Sequence, residues 1–241
     1  MTSSTILPPN EQERLAAVRR YDVLDTPPDG AFDRVTRLAS TLLDMPIAIV
    51  SIVDTDRIWF KSAHGLDGVQ EIGRDPGLCA SAILSDDPYV VGDAEVDPRT
   101  LANPLVAGEF GLRFYAGVPL TTSEGHNLGT LCVIDRKPRQ LPPNGEQLLS
   151  DLASIVVDEL ELRLAARTAQ QRIEAKARQA TELNDDVVQA LTLAKLQLEM
   201  GDQADGMRSV TGALEASRRI LDDVSQDLGN LRRTAAVRIQ G

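Results

Sequence analysis

The stretch Ile47-Ala48-Ile49-Val50-Ser51-Ile52-Val53 is almost entirely apolar and rich in β-branched residues. A strand that faces water on one side alternates apolar and polar residues, whereas a strand covered on both faces is apolar throughout. This stretch therefore predicts a central strand, buried on both faces, around which the neighbouring segments are arranged.

Four further segments have the composition of strands. A turn at Thr55 and Asp56 leads into residues 57–63, which are predicted to pair with the central strand as an antiparallel hairpin. The other candidates are Tyr89–Val91, residues 114–120 and residues 128–134, the last two separated by a short polar loop. We expect these segments to form one antiparallel sheet.

Two helices are predicted before the central strand. Residues 1–9 have the composition of a disordered leader, and Asn10 is the predicted cap of the first helix. Pro27 and Pro28 end that helix, and Asp29 opens the second. This order of elements indicates an α+β domain whose helices are collected on one side of an antiparallel sheet.

Five segments of this region carry a family pattern. They read Leu-Cys-Ala-Ser-Ala-Ile at 78–83, Val-Val-Gly-Asp-Ala at 90–94, Asp-Pro-Arg at 97–99 with Ala-Asn-Pro-Leu-Val at 102–106, Arg-Phe-Tyr-Ala-Gly-Val-Pro-Leu at 113–120, and Leu-Gly-Thr-Leu-Cys-Val-Ile-Asp at 128–135. Together they resemble a bacterial GAF sensory domain, and the resemblance covers residues 10–163.

The resemblance implies a small-molecule site, because many GAF domains hold a ligand between one face of the sheet and the loops that cover it. The alternative is an empty domain that serves only as a dimerising or protein-contact module, with these side chains packed as core. The residues that line the expected site by position are Phe60, Cys79, Asp93, Phe114, Tyr115 and Cys132.

No cofactor is implied by the residues. The signature of cyclic-nucleotide GAF domains is not found, and a bilin site would need a Cys followed by His, whereas Cys79 precedes Ala80. Haem would need a histidine in the pocket, but His64 and His126 lie in polar turns. These histidines and the two cysteines have no metal-ligand spacing. The pattern of free methionine sulfoxide reductase, which has several cysteines, is not reproduced either.

A single helix without Pro or Gly is predicted from Glu146 to Met200. Its first part has apolar residues that are expected to pack on the sheet. Residues 164–180 are mainly Ala, Gln, Arg and Glu with a thin apolar stripe, which is typical of a two-helix coiled-coil connector. Gly201 is expected to end the helix.

The last helix has the clearest heptad pattern, with apolar residues in alternating steps of three and four. Residues 181–233 are therefore predicted to form a helical hairpin, followed by a tail at 234–241. Because a lone hairpin would expose a long apolar stripe, we expect a homodimer in which two hairpins form a four-helix bundle. The predicted dimer seam consists of Leu183, Val187, Leu191, Leu198, Val210, Leu214, Leu221, Val224 and Leu228.

Residues 182–189 read Glu-Leu-Asn-Asp-Asp-Val-Val-Gln. This octet resembles the phosphoacceptor helix of the histidine-kinase dimerisation domain, with Asn184 where the phosphate-accepting histidine belongs. An amide lacks the nucleophilic nitrogen of imidazole, so the resemblance implies a pseudo histidine kinase that cannot be phosphorylated there. Asn184, Asp185, Asp186 and Gln189 are expected to face a partner. Alternatively, they are only a solvated helix face.

The composition of the chain limits which partners and which cellular compartment are expected. A net charge of −11 and a pI near 4.7 argue against nucleic acid or an anionic membrane, since phosphates would be repelled. Cys79 and Cys132 lie far apart and predict two reduced, mostly buried thiols. With no leading signal segment and no run of about 18 apolar residues, a cytoplasmic protein is expected.

These observations lead to three hypotheses about function. The first is a homodimeric GAF sensor of a two-component system, which passes a ligand or partner signal to a response regulator receiver or a histidine kinase. The second is a phosphatase that hydrolyses a receiver's aspartyl phosphate with Asp185 and Gln189, one helical turn apart. The third is a ligand-free structural dimeriser. Because no ATP-binding domain or phosphate-cradling loop is found, the chain is not expected to be an enzyme.

Overall fold

The computed structural model describes residues 7–66 and 68–219, apart from the side chain of Leu183. The chain divides into two compact units, residues 1–166 and 167–241. The predictions for residues 1–6 of the leader, for Leu221, Val224 and Leu228, and for the tail lie outside the described residues.

The described part of the first unit contains a six-stranded sheet, four helices and the first part of a fifth. In chain order they are α1 (Glu11–Tyr21), α2 (Gly30–Leu43), β1 (Ile47–Val53), β2 (Arg57–His64), β3 (Glu71–Gly73), α3 (Leu78–Ala82), β4 (Tyr89–Val91), α4 (Pro104–Ala107), β5 (Phe114–Thr121), β6 (Asn127–Asp135) and α5 (Gly145–Glu199).

The strands form one antiparallel sheet in the order β3-β2-β1-β6-β5-β4. All seven side chains of β1 are buried, which confirms the central strand, and its predicted hairpin with β2 is also confirmed. β3 was not predicted, because Glu-Ile-Gly has no apolar periodicity of its own. It is a strand through its pairing with the edge of β2.

The long helices cover one face of the sheet. Phe32 and Val35 of α2 and Leu152 and Val156 of α5 are buried there with residues of α1 and of the strands. The short helices α3 and α4 contribute buried residues to a second cluster, on the other face. The predicted collection of helices on one side therefore holds for α1, α2 and α5 only.

The starts of the first two helices differ from each other. Asp29 Oδ1 accepts a hydrogen bond from the backbone N–H of Ala31 at 2.9 Å, so the predicted cap of α2 is confirmed. Asn10 makes no capping hydrogen bond, because its backbone (φ −102°, ψ 29°) is not extended as a capping residue requires. Its amide instead lies 3.4 Å from Nδ1 of His126.

The predicted long helix is confirmed, since α5 is continuous over 55 residues and includes residues 164–180. Gly201 follows it with φ +85°, a left-handed conformation that ends the helix, as expected. Residues 203–219, here called α6, are helical. The second unit therefore contains the predicted helical hairpin.

Small side chains form the contact between α5 and α6. Ala194 and Ala213 are almost fully buried in the hairpin, and the hydroxyl of Ser209 donates to Oε1 of Gln197 at 2.9 Å. A Cβ atom on Gly206 would lie 2.7 Å from Cγ of Leu198. The two helices therefore approach too closely for a larger residue at Gly206.

Large apolar side chains remain exposed beside this contact. Within the hairpin they are Val188, Leu191, Leu193, Leu196, Leu198, Met200, Met207 and Leu214. Three predicted seam residues, Leu191, Leu198 and Leu214, are among them, while Val187 and Val210 are half-buried within the hairpin. In the described parts of the chain, none of the helices has the length and apolar character to cross a bilayer.

Candidate functional site

A cavity of about 410 Å³ lies on the face of the sheet opposite the long helices. Ile49, Phe60, Tyr115 and Ile134 contribute from four neighbouring strands, and α3 adds Leu78 and Cys79. The remaining lining residues are Gly65, Leu66, Val69, Ile72, Leu105, Phe110, Leu112 and Arg136. The volume falls within the range of about 300–1,000 Å³ that small-molecule pockets occupy.

Strand alternation decides which side chains line the cavity, because successive residues of a strand point to opposite faces of the sheet. Tyr115 of β5 faces the cavity, whereas its neighbour Phe114 faces the long helices. The tyrosine ring lies edge-on to that of Tyr89, with ring centroids 6.0 Å apart.

Arg136 is the one charged residue among those that line the described cavity. Its side chain lies over the ring of Phe110, with Cζ 5.1 Å from the ring centroid. Within residues 7–66 and 68–219 it makes no ion pair. A cation held by an aromatic ring beside an apolar cavity is suited to pair with an anionic group of a ligand.

Two thiols lie close together, one in the wall of the cavity and one behind it. Sγ of Cys79 is 3.9 Å from Sγ of Cys132, and the hydroxyl of Tyr115 donates a hydrogen bond to Sγ of Cys79 at 3.4 Å. Both cysteines are buried, which confirms the predicted burial, and they are not bonded to each other in this structure. Cys79 lines the cavity, whereas Cys132 lies behind it.

The surroundings of the two thiols lower the pKa of Cys79 and raise the pKa of Cys132. The hydrogen bond with Cys132, with further ones from Ser51, Thr130 and Tyr115, lowers the pKa of Cys79 to about 6, although burial alone would raise it. The same hydrogen bond and burial raise the pKa of Cys132 well above 9.0. Cys79 is therefore the member of the pair that loses its proton first.

Of the six residues predicted to line a ligand site, Phe60, Cys79 and Tyr115 lie along the cavity. Cys132 does not line the cavity but lies against Cys79, which does.

Phe114 and Asp93 lie elsewhere. Phe114 is fully buried against the helices, because it alternates with Tyr115 along β5. Asp93 follows β4 and forms two hydrogen bonds with Arg113, of 2.9 and 3.0 Å, outside the cavity. These bonds lower the pKa of Asp93.

Several lining residues were missed from the sequence. Leu105 lies in the four-residue helix α4, and Phe110 and Leu112 lie in the loop that follows it. The sequence of this region has no periodicity that indicates which side chains turn inward. For Arg136 a signal was available: it follows the end of β6, two residues after Ile134, which faces the cavity. A charged residue at the end of a cavity-facing strand is a reasonable candidate for the mouth of a site.

The residues of the octet are exposed. Asn184, Asp185, Asp186 and Gln189 all face solvent on α5, with Asp185 and Gln189 one helical turn apart. His64 and His126 do not line the cavity. Among the described residues, no group of three or more His, Cys, Asp or Glu side chains is arranged to hold a metal ion.

The comparison with curated proteins finds a cyclic di-GMP phosphodiesterase of Pseudomonas aeruginosa that is 45% identical over 132 residues. The match covers 55% of this chain but only 22% of that relative. Because this relative is named as an enzyme, the match contradicts the expectation that the chain is not an enzyme. A GAF domain alone does not show catalysis.

Two solved structures align with parts of this chain. The GAF domain of an Acinetobacter phosphoenolpyruvate-protein phosphotransferase aligns with a TM-score of 0.47 and 15% identity, over 68% of this chain and 97% of that chain. Free methionine-R-sulfoxide reductase of Neisseria meningitidis aligns with a TM-score of 0.45 and 23% identity, over 66% and 90%.

The family model of the GAF domain matches residues 27–160, more than half of the 241 residues. The predicted resemblance is thereby confirmed for this part of the chain, and the identity of the hairpin as a histidine-kinase dimerisation domain stays a prediction. The chain belongs to the GAF domain family.

Proposed function

We propose that the chain is a sensor in signal transduction whose GAF domain binds a small, mainly apolar molecule with an anionic group. The observation that carries this proposal is the cavity of about 410 Å³, whose lining is mainly apolar and includes one basic side chain, Arg136. Buried apolar area supplies affinity in such sites, and a few polar groups fix the orientation of the ligand.

A homodimer transmits the signal in this proposal. Ile155 and Leu162 are exposed on α5 seven residues apart, which is the spacing of a coiled-coil seam. The exposed leucines of the hairpin offer a second apolar surface for the same partner copy. A ligand that favours one packing of the paired helices over another would shift the equilibrium between them.

The partner in this proposal is the receiver of a response regulator or a histidine kinase. It is supported by the resemblance of the octet to a kinase helix and by the exposure of Asn184, Asp185, Asp186 and Gln189. The relative that is a cyclic di-GMP phosphodiesterase, 45% identical over 132 residues, also supports a role in signalling.

Thermal unfolding in the presence of a panel of small carboxylates, each paired with its methyl ester, tests the ligand proposal. We expect at least one carboxylate to raise Tm while its ester does not, because only the acid can pair with Arg136. Arg136→Gln should weaken binding about tenfold, which corresponds to a loss of ~1.4 kcal/mol.

Lys137→Gln is the matched control, since it removes the same charge at the next residue, outside this cavity. Its affinity should equal that of the wild type. A panel without any stabilising carboxylate, or esters that bind as tightly as the acids, would contradict the proposed ligand class.

A further inference from the structure

The two cysteines of this chain lie side by side although 53 residues separate them in the sequence. Their sulfur atoms are 3.9 Å apart, and the chain contains no other cysteine. A disulfide bond is ~2.05 Å long, so the sulfurs must approach each other by about 2 Å. Cys79 belongs to α3, a helix of five residues, and Cys132 belongs to the central strand β6. Because β6 is paired with β1 on one side and β5 on the other, we expect the short helix to be the element that moves.

The two thiols differ in their access to small molecules. Cys79 lines the cavity, whereas Cys132 is fully buried behind it. The hydroxyl of Tyr115 donates a hydrogen bond to Sγ of Cys79, which stabilises a thiolate there. A reagent that enters the cavity therefore reaches Cys79 first, and Cys132 is placed to react with whatever forms on it.

We infer that Cys79 and Cys132 form a dithiol that a hydroperoxide, entering through the cavity, oxidises to an intrachain disulfide. In the first step the Cys79 thiolate attacks one oxygen of the hydroperoxide, the O–O bond breaks, and the departing oxygen takes up a proton to leave as an alcohol or water. Cys79 becomes a sulfenic acid.

In the second step the sulfur of Cys132 attacks the sulfur of the sulfenic acid. The S–O bond breaks, the hydroxyl leaves as water with the proton of Cys132, and the disulfide forms. Overall, two thiols lose two electrons and two protons, and one hydroperoxide is reduced to an alcohol (or water) and water.

The disulfide would draw the cavity wall formed by α3 toward β6. This inference goes beyond the ligand proposed above and does not depend on it, because oxidation is measured on the thiols themselves. If no carboxylate binds, the inference about the dithiol is not contradicted. If the dithiol does not react, the ligand proposal is not contradicted.

The test uses the full chain, reduced and freed of reductant, treated with hydrogen peroxide or with cumene hydroperoxide under native conditions. We expect the intact mass to fall by two hydrogen atoms, both cysteines to resist maleimide labelling after denaturation, and dithiothreitol to restore both. The oxidised chain should stay a monomer on a denaturing, non-reducing gel. Two thiols that remain free, or only interchain disulfides, would overturn the inference.

Variants assign the order of the steps. In Cys132→Ala, the sulfenic acid on Cys79 should persist and be trapped by dimedone, whereas in Cys79→Ala the remaining thiol should react at least about tenfold more slowly. Tyr115→Phe should slow oxidation about tenfold and move the midpoint of its pH–rate profile upward, since the thiolate loses a hydrogen bond. Equal rates of thiol oxidation in the three variants would overturn the assignment of Cys79 as the first thiol to react. If a variant does not fold, the mass measurement on the wild-type chain still tests the inference.

Discussion

Glu11, in the first turn of α1, is held between two buried arginines. Its carboxylate accepts hydrogen bonds from Nε of Arg14, at 2.8 Å, and from Nη1 of Arg74. The two guanidinium groups also donate to the backbone carbonyls of Val53, at 2.7 Å, and Asp54, at 2.9 Å. This network fastens α1 to the end of the central strand β1.

The network changes the acidity of Glu11. Burial alone would raise its pKa, but the hydrogen bonds and charges of Arg14 and Arg74 outweigh burial and lower the pKa from 4.5 to about 2. Without this carboxylate, two cations would remain buried with no anion between them, which is costly in a medium of low dielectric constant.

Glu11→Gln should lower the free energy of unfolding by about 2 kcal/mol at neutral pH. A carboxyl whose pKa is depressed in the folded state contributes its full stability above the unfolded pKa, near 4.5, and loses it as the pH falls toward 2. The difference between wild type and variant should therefore shrink to less than half at about pH 3. Urea denaturation followed by the fluorescence of Trp59 measures it.

Glu13→Gln is the matched control for this experiment, since Glu13 is exposed on the same helix turn. It should change the free energy of unfolding by less than about 0.5 kcal/mol at either pH. A difference for Glu11→Gln that stays constant from neutral pH to about pH 3 would show that the ionised carboxylate is not the stabilising species.

Among the elements, β1 and β6 form the centre of the sheet and pair along most of their length. Gly129 of β6 lies opposite Ile52, and a Cβ atom there would be 1.9 Å from the carbonyl oxygen of Ser51. Next to this position, the hydroxyls of Ser51 and Thr130 are hydrogen-bonded at 2.9 Å. The two backbones thus approach so closely that only a residue without a side chain fits.

Gly129→Ala should destabilise the GAF domain by about 2–4 kcal/mol, because the clash involves the backbone of the central strand, which cannot move without loss of its pairing. Urea denaturation monitored by circular dichroism gives the free energy of unfolding. In the control variant Gly30→Ala, at the start of α2, the new Cβ would meet only Arg34, at 3.9 Å. A Gly129→Ala protein as stable as this control would refute the packing argument.

At the scale of the whole molecule, the exposed apolar surface of the hairpin is the feature that favours binding of a partner. Its inner contact is made by small residues, so the large ones remain outside, with Leu191 at 47% and Leu214 at 55% exposure. Burying such side chains is favourable by about 1.5–3 kcal/mol each. A second copy would cover them symmetrically, as the four-helix bundle predicted from the heptad pattern requires.

The double variant Leu191→Asp with Leu214→Asp should convert the proposed dimer to a monomer, since each charge would be buried against apolar residues of the partner copy. We expect Kd to rise at least about 100-fold, which corresponds to ~2.7 kcal/mol. Light scattering coupled to size-exclusion chromatography over a range of concentrations measures the mass.

Thr192→Asp with Thr211→Asp is the matched control, because it adds the same two charges at exposed polar positions of the same helices. That protein should remain a dimer. If the leucine variant also remains a dimer, the hairpin face is not the interface, and a wild-type monomer would refute the homodimer itself.

The sequence by itself determined the elements whose signals are local. The continuous apolar run of β1, the cap at Asp29 and the stop at Gly201 each follow from the chemistry of a few neighbouring residues, and the structure contains all three. The GAF family could also be predicted from the sequence, since its segments occur in order along the chain. The sequence did not determine whether the protein is an enzyme, because the expectation of a non-enzyme rested only on the motifs that are missing from this chain.

Only the tertiary structure decided which residues of distant segments meet. Strand alternation places Phe114 and Tyr115 on opposite faces, but the packing of the long helices decides that Tyr115 is the one that faces the cavity. The contact of Cys79 with Cys132 depends on where α3 settles against β6. Such contacts follow from the packing of the whole sheet and its coverings, and no local pattern of residues encodes that packing.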